Sequence, residues 1–258
     1  MIRPFLLRRT KGEVARELPP RTEIVVPIAL SEPERALYED ARLAAVAELQ
    51  DMKGLRDEQR RFQVLAALTR LRLLASHPRL HDRSSPVASS KLRRLLELVG
   101  ELRAEGHRAL VFSQFTSHLA LVKDALAELA IPTLYLDGET PPAQRKRRVQ
   151  AFQAGEADVF LISLTAGGTG LNLTAADYVF HLDPWWNPAV EDQATDRAHR
   201  IGQTRPVTVY RLIARGTVEE RILALHATKR ELVRGVLDGS DVAGRLTTKQ
   251  LLELLNPV

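Results

Sequence analysis

Cysteine is absent from this 258-residue sequence. That excludes a disulfide framework, a zinc–thiolate site and a cysteine nucleophile. No apolar run approaches the ~20 residues of a membrane-spanning helix, and the N-terminus lacks the apolar stretch of a signal peptide. These absences predict a soluble, intracellular chain with no membrane partner. None of the 14 glycines is followed by lysine, so the phosphate loop G-x-x-x-x-G-K-[ST] cannot occur. Asp57-Glu58 lies in a polar helical stretch rather than at a strand end, and so does not read as a metal-holding Asp-Glu box. If the chain handles ATP, it can supply only a complementary wall of the pocket. A G-x-S-x-G nucleophile site is also missing, and no His, Asp and Glu residues show metal-ligand spacing, so no metal site is expected.

What is present is ordinary globular composition, 45% hydrophobic and 27% charged, which excludes wholesale disorder. The basic side is unusual in kind. Of 37 Lys+Arg only 7 are Lys, leaving 37 − 7 = 30 Arg, with a net charge of +5. Planar guanidinium forks bind phosphate bidentately and lean towards nucleotide or nucleic-acid partners. A proteome-wide preference for arginine explains the same count.

Three zones succeed one another. Residues 1–30 are basic and end in TEIVVPIAL, whose β-branched run predicts a strand, with Pro27 placing it at a sheet edge. Residues 31–80 read as two helices. Ser31 and Glu34 have capping-box spacing. Leu37, Ala41, Ala44 and Leu49, then Phe62, Leu65, Leu68, Leu71 and Leu74, recur near helical period. Gly54 is the expected break, and His77-Pro78 the expected stop. Residues 81–90 form a linker. From 91 to 236 helices and strands alternate: helices at 91–104, 117–129, 142–154, 188–199 and from 218, strands at 108–113, 133–136, 158–163, 178–182 and 207–213. Short apolar strands separated by amphipathic helices predict an α/β fold with a doubly wound, mainly parallel sheet. Residues 237–258 form a tail with a leucine cluster. Ligands of such sheets sit at the carboxyl ends of the strands.

The loop after the third of these alternating strands, SLTAGGTGLNL, carries three glycines in four positions. It suits close approach to a phosphate or ribose, or simply a tight turn. As a dinucleotide fingerprint it fails, because Leu173 stands where a last glycine is needed. HLDPWWNPAVEDQATDRAHRIGQ (181–203) is the richest segment. On a continuous helix Gln193, Arg197 and Arg200 share one face, while Ala194, Ala198 and Ile201 pack inward. Two Arg one turn apart suit the oxygens of a transferring phosphoryl group, and arginine fingers of this kind are worth about 10³ to 10⁵ in rate. A solvated arginine face fits the same spacing. Trp185 and Trp186, the sole tryptophans, read as a stacking element or a hydrophobic anchor. His199 reads as a satisfied structural histidine. The basic run 145–148 opens a helix against its dipole, which a nearby phosphate backbone would offset, although a solvated charge run fits as well.

RALVFSQF (108–115), LDGETPPAQRKRRVQAF (136–152), FLISLTAGGTGLNLTAADYVFHLDPWWNP (160–188) and QATDRAHRIGQ (193–203) together resemble the second, C-terminal RecA-like lobe of Swi/Snf-type ATP-dependent double-stranded DNA translocases of helicase superfamily two. RPFLLRRTKGEVARELPPRTE (3–23) resembles the family's segment leaving the first lobe. Residues 31–80 resemble its helical protrusion. Leu164-Thr165 departs from the Thr-Arg common at that place.

The resemblance implies that Arg197 and Arg200 are arginine fingers reaching ATP on the opposite lobe, with Gln193, Gly170 and Asn172 at the nucleotide cleft. It assigns Ser113, Gln114, Ser163, Thr165, Gly167 and Gly168 to the DNA phosphates, and Trp186 to the link between DNA contact and hydrolysis. ATP and Mg²⁺ are then held mainly by an N-terminal lobe outside this sequence, so the isolated chain is expected to be inactive. Partners implied are double-stranded DNA, that N-terminal lobe and a protein on the protrusion. The location implied is a bacterial nucleoid, or a nucleus in a eukaryote. Two other readings compete: a non-catalytic protein-interaction module on a helicase-like scaffold, and an unrelated Rossmann-like enzyme.

Overall fold

The computed structural model describes residues 18–51, 56–167, 170–233 and 246–256. Six parallel strands form one sheet: β1 (Arg21–Ile28), β2 (Ala109–Ser113), β3 (Thr133–Leu136), β4 (Val159–Ser163), β5 (Tyr178–His181) and β6 (Val207–Ala214), in the order β1-β6-β5-β2-β4-β3. Helices α1 (Glu32–Asp51) and α2 (Asp57–Ser76) precede α3 (Ser90–Ala104), α4 (Thr116–Glu128), α5 (Pro142–Ala154), α6 (Pro188–Thr195), α7 (Val218–Val233) and α8 (Thr248–Glu253).

Both central strands, ALVFS and VFLIS, are buried along their whole length. Period-2 alternation divides their side chains. Val111 and Leu161 pack under Leu95, Val99, Leu119 and Val122 of α3 and α4, whereas Phe112 and Phe160 pack against Phe152 of α5 and Ala194 of α6. Helices on both faces make the sheet doubly wound, as the alternation predicts. β1 is the expected edge strand and leaves Ile24 and Val25 exposed.

The helical zone forms a separate cluster. Leu49, Leu68, Leu71 and Leu74 are buried, but Phe62 is 70% exposed and Leu37 also faces out, because the inward stripe of α2 runs through Val64, Ala67, Leu68 and Leu71 instead. The tail joins this layer: Leu246, Leu251, Leu254 and Leu255 pack on it, and Thr247 with Gln250 forms a capping box on α8. Ser31 and Glu34 make one half of the capping box that their spacing predicts: the Glu34 carboxylate accepts from the Ser31 amide and hydroxyl at 2.8 Å. Glu34 then reaches further and accepts from the Ser90 amide at 2.8 Å, so one carboxylate caps α1 and α3 together. Helix α2 ends at His77 as expected. The predicted break at Gly54 lies outside the described residues.

The helix expected over 188–199 is shorter. It closes at Thr195, and the following residues turn. Ile201, expected to pack inward, is 75% exposed. Asp196 carries the last helical dihedrals, Gly202 sits at φ +101°, and Gln203 reaches back to the carbonyls of Thr174 and Ala176, a long-range contact that holds the chain in a turn.

A buried ion pair ties the sheet to the helices above it. Lys91 Nζ lies 2.6 Å from both oxygens of Glu219 and donates to the Leu182 carbonyl at 2.8 Å, while the Ala214 amide donates to Glu219 at 2.8 Å. Breaking one side leaves an uncompensated buried charge. Lys91→Met or Glu219→Leu alone is expected to cost about 3–5 kcal/mol in denaturant unfolding, and the double variant to recover most of that loss.

Candidate functional site

The chain passes from the outer strands back across β2 between β4 and β5, so the crevice at the carboxyl ends of these three strands is the place for a ligand. The turn after β2 meets the loop after β5 there, and the glycine-rich loop after β4 meets α6 and the segment leaving it.

Arg197 lies beside the end of β2. It does not share a helix face with Arg200, because α6 has already ended. It is buried, its guanidinium lies 5.6 Å from the Phe112 ring centroid, and its Nη1 has no hydrogen-bond partner. Burial, helped by the nearby Arg145 cation, lowers its pKa to about 10, so it stays charged at neutral pH. Arg145 itself donates to the Ala166 carbonyl at 2.7 Å and the Asp137 carbonyl at 3.2 Å. Two cations thus flank the turn that opens the glycine-rich loop. Arg200 is exposed and donates to the Gly170 carbonyl at 3.4 Å. Gln193, Gly170 and Asn172 are exposed as well. The structure brings both arginines beside the glycine-rich segment, Arg200 at Gly170 and the Arg197 carbonyl accepting from the Leu173 amide at 3.0 Å, by a turn rather than by helical periodicity.

Gln203 builds that turn, and its role was not visible in the spacing. Its Nε2 lies 2.8–3.1 Å from the carbonyls of Thr174, Ala176 and Ala198, and its Oε1 accepts from the amides of Thr204 and Arg205 at 2.9 Å. One amide side chain thereby stitches the arginine segment to the far end of the glycine-rich loop. His199 shares a 2.8 Å hydrogen bond with the Pro19 carbonyl.

The remaining predicted residues fall along the strand tips. Ser113 is buried, and its hydroxyl donates to Asp183, which also accepts from the Gln114 amide at 3.1 Å. Gln114 Nε2 is buried without a partner. Ser163 is buried and shares a 2.8 Å hydrogen bond with the exposed Thr165. Gly167 ends the short turn Leu164–Gly167; Gly168 lies outside the described residues. Trp185 and Trp186 part company. Trp185 packs on the sheet core, Trp186 on the helical cluster.

The edge strand β1 and its neighbour β6 hold α6 in place through charge. Glu191 accepts from the Trp185 amide at 2.7 Å and from Arg211 Nε at 3.0 Å, Arg211 reaches Glu23 at 2.6 Å, and Arg21 reaches Asp192 at 2.8 Å. Burial raises the Glu191 pKa to about 7 against the pull of Arg211 and the Trp185 amide.

Two expectations follow. The folded state keeps the Glu191 proton that an unfolded carboxyl releases near 4.5, so its contribution is full below about 4.5 and lost as pH rises to about 7. His77 and His181, held by burial near 4 and near 3, act in the opposite sense, so parent and variant are compared. Glu191→Gln should gain stability relative to the parent between pH 4.5 and 7, read by denaturant unfolding across that range. Arg197→Met removes a buried cation that has no ion-pair partner among the described residues. It should melt above the parent, by about 1–2 kcal/mol of stability.

Comparison with known proteins agrees with this architecture. The helicase conserved C-terminal domain matches residues 90–202, and the SNF2-related domain matches residues 1–80. The chain is 39% identical to a Bacillus subtilis protein named as an ATP-dependent helicase/translocase, YwqA, over 98% of its own length and 28% of the relative's. It is 37% identical to human SWI/SNF-related matrix-associated actin-dependent regulator of chromatin subfamily A member 1, over 97% of its own length and 24% of the relative's. It thus spans about a quarter of these relatives. The solved C-terminal domain of the Sulfolobus solfataricus SWI2/SNF2 ATPase is similar with a TM-score of 0.72 at 29% identity, covering 91% of this chain and 97% of that one. The core of that ATPase, solved in complex with dsDNA, gives 0.78 at 32% identity over 100% of this chain and 55% of that one. With its single parallel sheet and strand-tip crevice, the chain belongs to the Swi/Snf-type helicases, of which it is the C-terminal RecA-like lobe.

Proposed function

We propose that this lobe is the C-terminal half of the motor in an ATP-dependent double-stranded DNA translocase. The observation that carries the reading is Arg197: a buried guanidinium at the strand tips with one nitrogen unpartnered. Burying a cation without a counter-charge is costly, and an anionic oxygen from outside the chain would offset that cost. A phosphate oxygen fits this donor set.

In this reading ATP sits on an N-terminal lobe and meets the crevice when the lobes close. Arg197 donates from its buried position to the γ-phosphate oxygens as negative charge shifts during transfer, and Arg200 closes over from the exposed side. Gly170, Asn172 and Gln193 line the nucleotide edge. Mg²⁺, which neutralises phosphate charge, belongs to the other lobe. Among the described residues no group of three or more His, Asp or Glu could hold a metal ion.

DNA runs along the tips of β2 and β4. Gln114 and Thr165 face its phosphates, with Gly167 and Gly168 letting the backbone approach. Ser113 and Ser163, whose hydroxyls are engaged within the lobe, hold these tips in shape. Trp186 relays the grip to the nucleotide side. Residues 91–236 are the motor lobe proper and 31–80 its protrusion, with 1–30 leading in from the first lobe. Contacts of this kind read the backbone and carry no sequence code, so binding is salt-dependent and sequence-tolerant. No described helix is long and apolar enough to cross a membrane, and a nucleoid or nuclear location suits a DNA motor.

The test uses a polypeptide that joins this lobe to an N-terminal ATP-binding lobe. DNA-stimulated hydrolysis should fall by about 10³-fold or more in Arg197→Ala and in Arg200→Ala, with ATP binding largely kept. Near-parental turnover in both variants would overturn the assignment.

A further inference from the structure

A second buried arginine has no place in the chemistry above. Arg72 lies on α2, in the helical protrusion, and is 3% exposed. Its guanidinium sits 5.1 Å from the Trp186 ring centroid and 5.6 Å from that of Phe115. Its Nη2 donates to the Pro184 carbonyl at 2.6 Å, and its Nε is buried without a partner. No carboxylate lies within ion-pair distance of it among the described residues. The negative charge it feels comes from Asp183, Glu219 and Glu191 at longer range. Burial wins over these and lowers its pKa.

Such a group is an expensive way to fill space. A methionine or leucine would pack the same volume without desolvating a charge. What the guanidinium supplies, and an aliphatic chain does not, is a flat cation that two aromatic rings can face, plus a donor for a carbonyl. The residues it joins belong to two different loops. Phe115 follows β2 directly after Ser113 and Gln114. Pro184 and Trp186 follow β5. These strands are neighbours in the sheet, so Arg72 bridges their tips from above and belongs to neither.

We infer that Arg72 is a positioning residue through which the helical protrusion holds the Phe115 and Trp186 loops, and so sets how tightly the grip on DNA is coupled to hydrolysis. The coupling half rests on the function proposed above; the loop-holding half does not. The protrusion is then a mechanical part of the motor, since any tilt of α2 moves both loops at once.

The experiment has two arms. In a Trp185→Phe background Trp186 is the sole tryptophan, and its emission and acrylamide quenching report on its surroundings. Arg72→Lys keeps the charge and loses the flat fork; Arg72→Met keeps the bulk and loses the charge. Both variants should keep the parental circular dichroism while quenching of Trp186 rises several-fold and its emission shifts to the red. Should Arg72→Met fail to fold, Arg72→Lys alone decides. A folded variant with parental Trp186 quenching overturns the inference.

The second arm uses the two-lobe polypeptide. Base pairs travelled per ATP should drop by about tenfold in both variants, with DNA-stimulated hydrolysis changed less than about twofold. Equal losses of translocation and hydrolysis overturn the coupling half. Failure of the parent itself to show DNA-stimulated hydrolysis would overturn the proposed function and the coupling half with it, while the fluorescence arm still decides whether Arg72 holds the loop.

Discussion

A charge pair that water does not reach sets how two helices sit on the sheet. Lys91 opens α3, Glu219 opens α7, and between them they hold the carbonyl that ends β5 and the amide that ends β6. Hydrophobic packing alone would place α3 and α7 near these strands without fixing their height. A lysine with both carboxylate oxygens at 2.6 Å accepts one arrangement, because any slip leaves a charge or an amide unsatisfied in a low-dielectric setting. The crevice where the three central strands end inherits its shape from that arrangement.

Against that paired background the unpaired cations stand out. Arg211 is buried too, but Glu191 and Glu23 surround it, and Arg21 extends the same network to α6. Arg197 and Arg72 have aromatic rings for company and, among the described residues, no carboxylate at ion-pair distance. Both kinds are buried; what separates them is whether a carboxylate stands beside the cation. Groups that hold the frame are satisfied in the free protein, whereas Arg197 Nη1 and Arg72 Nε are buried without a hydrogen-bond partner.

Much of this was legible in the order of residues. The alternation of apolar strands and amphipathic helices gives β2 to β6 within one residue at each end, because a strand buried on both faces must be apolar throughout, and few other elements look alike. Ser31 and Glu34 reveal their cap because capping is a contact between near neighbours. The arginine helix misled. Period 3.6 fits residues 188–199, yet Gln203, reaching back to carbonyls near 174 and 176, draws the chain into a turn after Thr195. A hydrogen bond across almost thirty residues leaves no local signal. The tail was unreadable for the same reason: its leucines have meaning only once α2 is there to receive them.

By itself, then, the sequence determined the class of fold, the order of its elements and the set of loops that could bear chemistry, since each of these follows from periodicity, caps and turn residues acting over a few positions. Only the tertiary structure decided which arginines are buried, which of them lack a counter-charge, and that Arg72 from the protrusion reaches the tips of two strands. Burial and charge pairing depend on neighbours brought together from distant parts of the chain, and no local pattern records them.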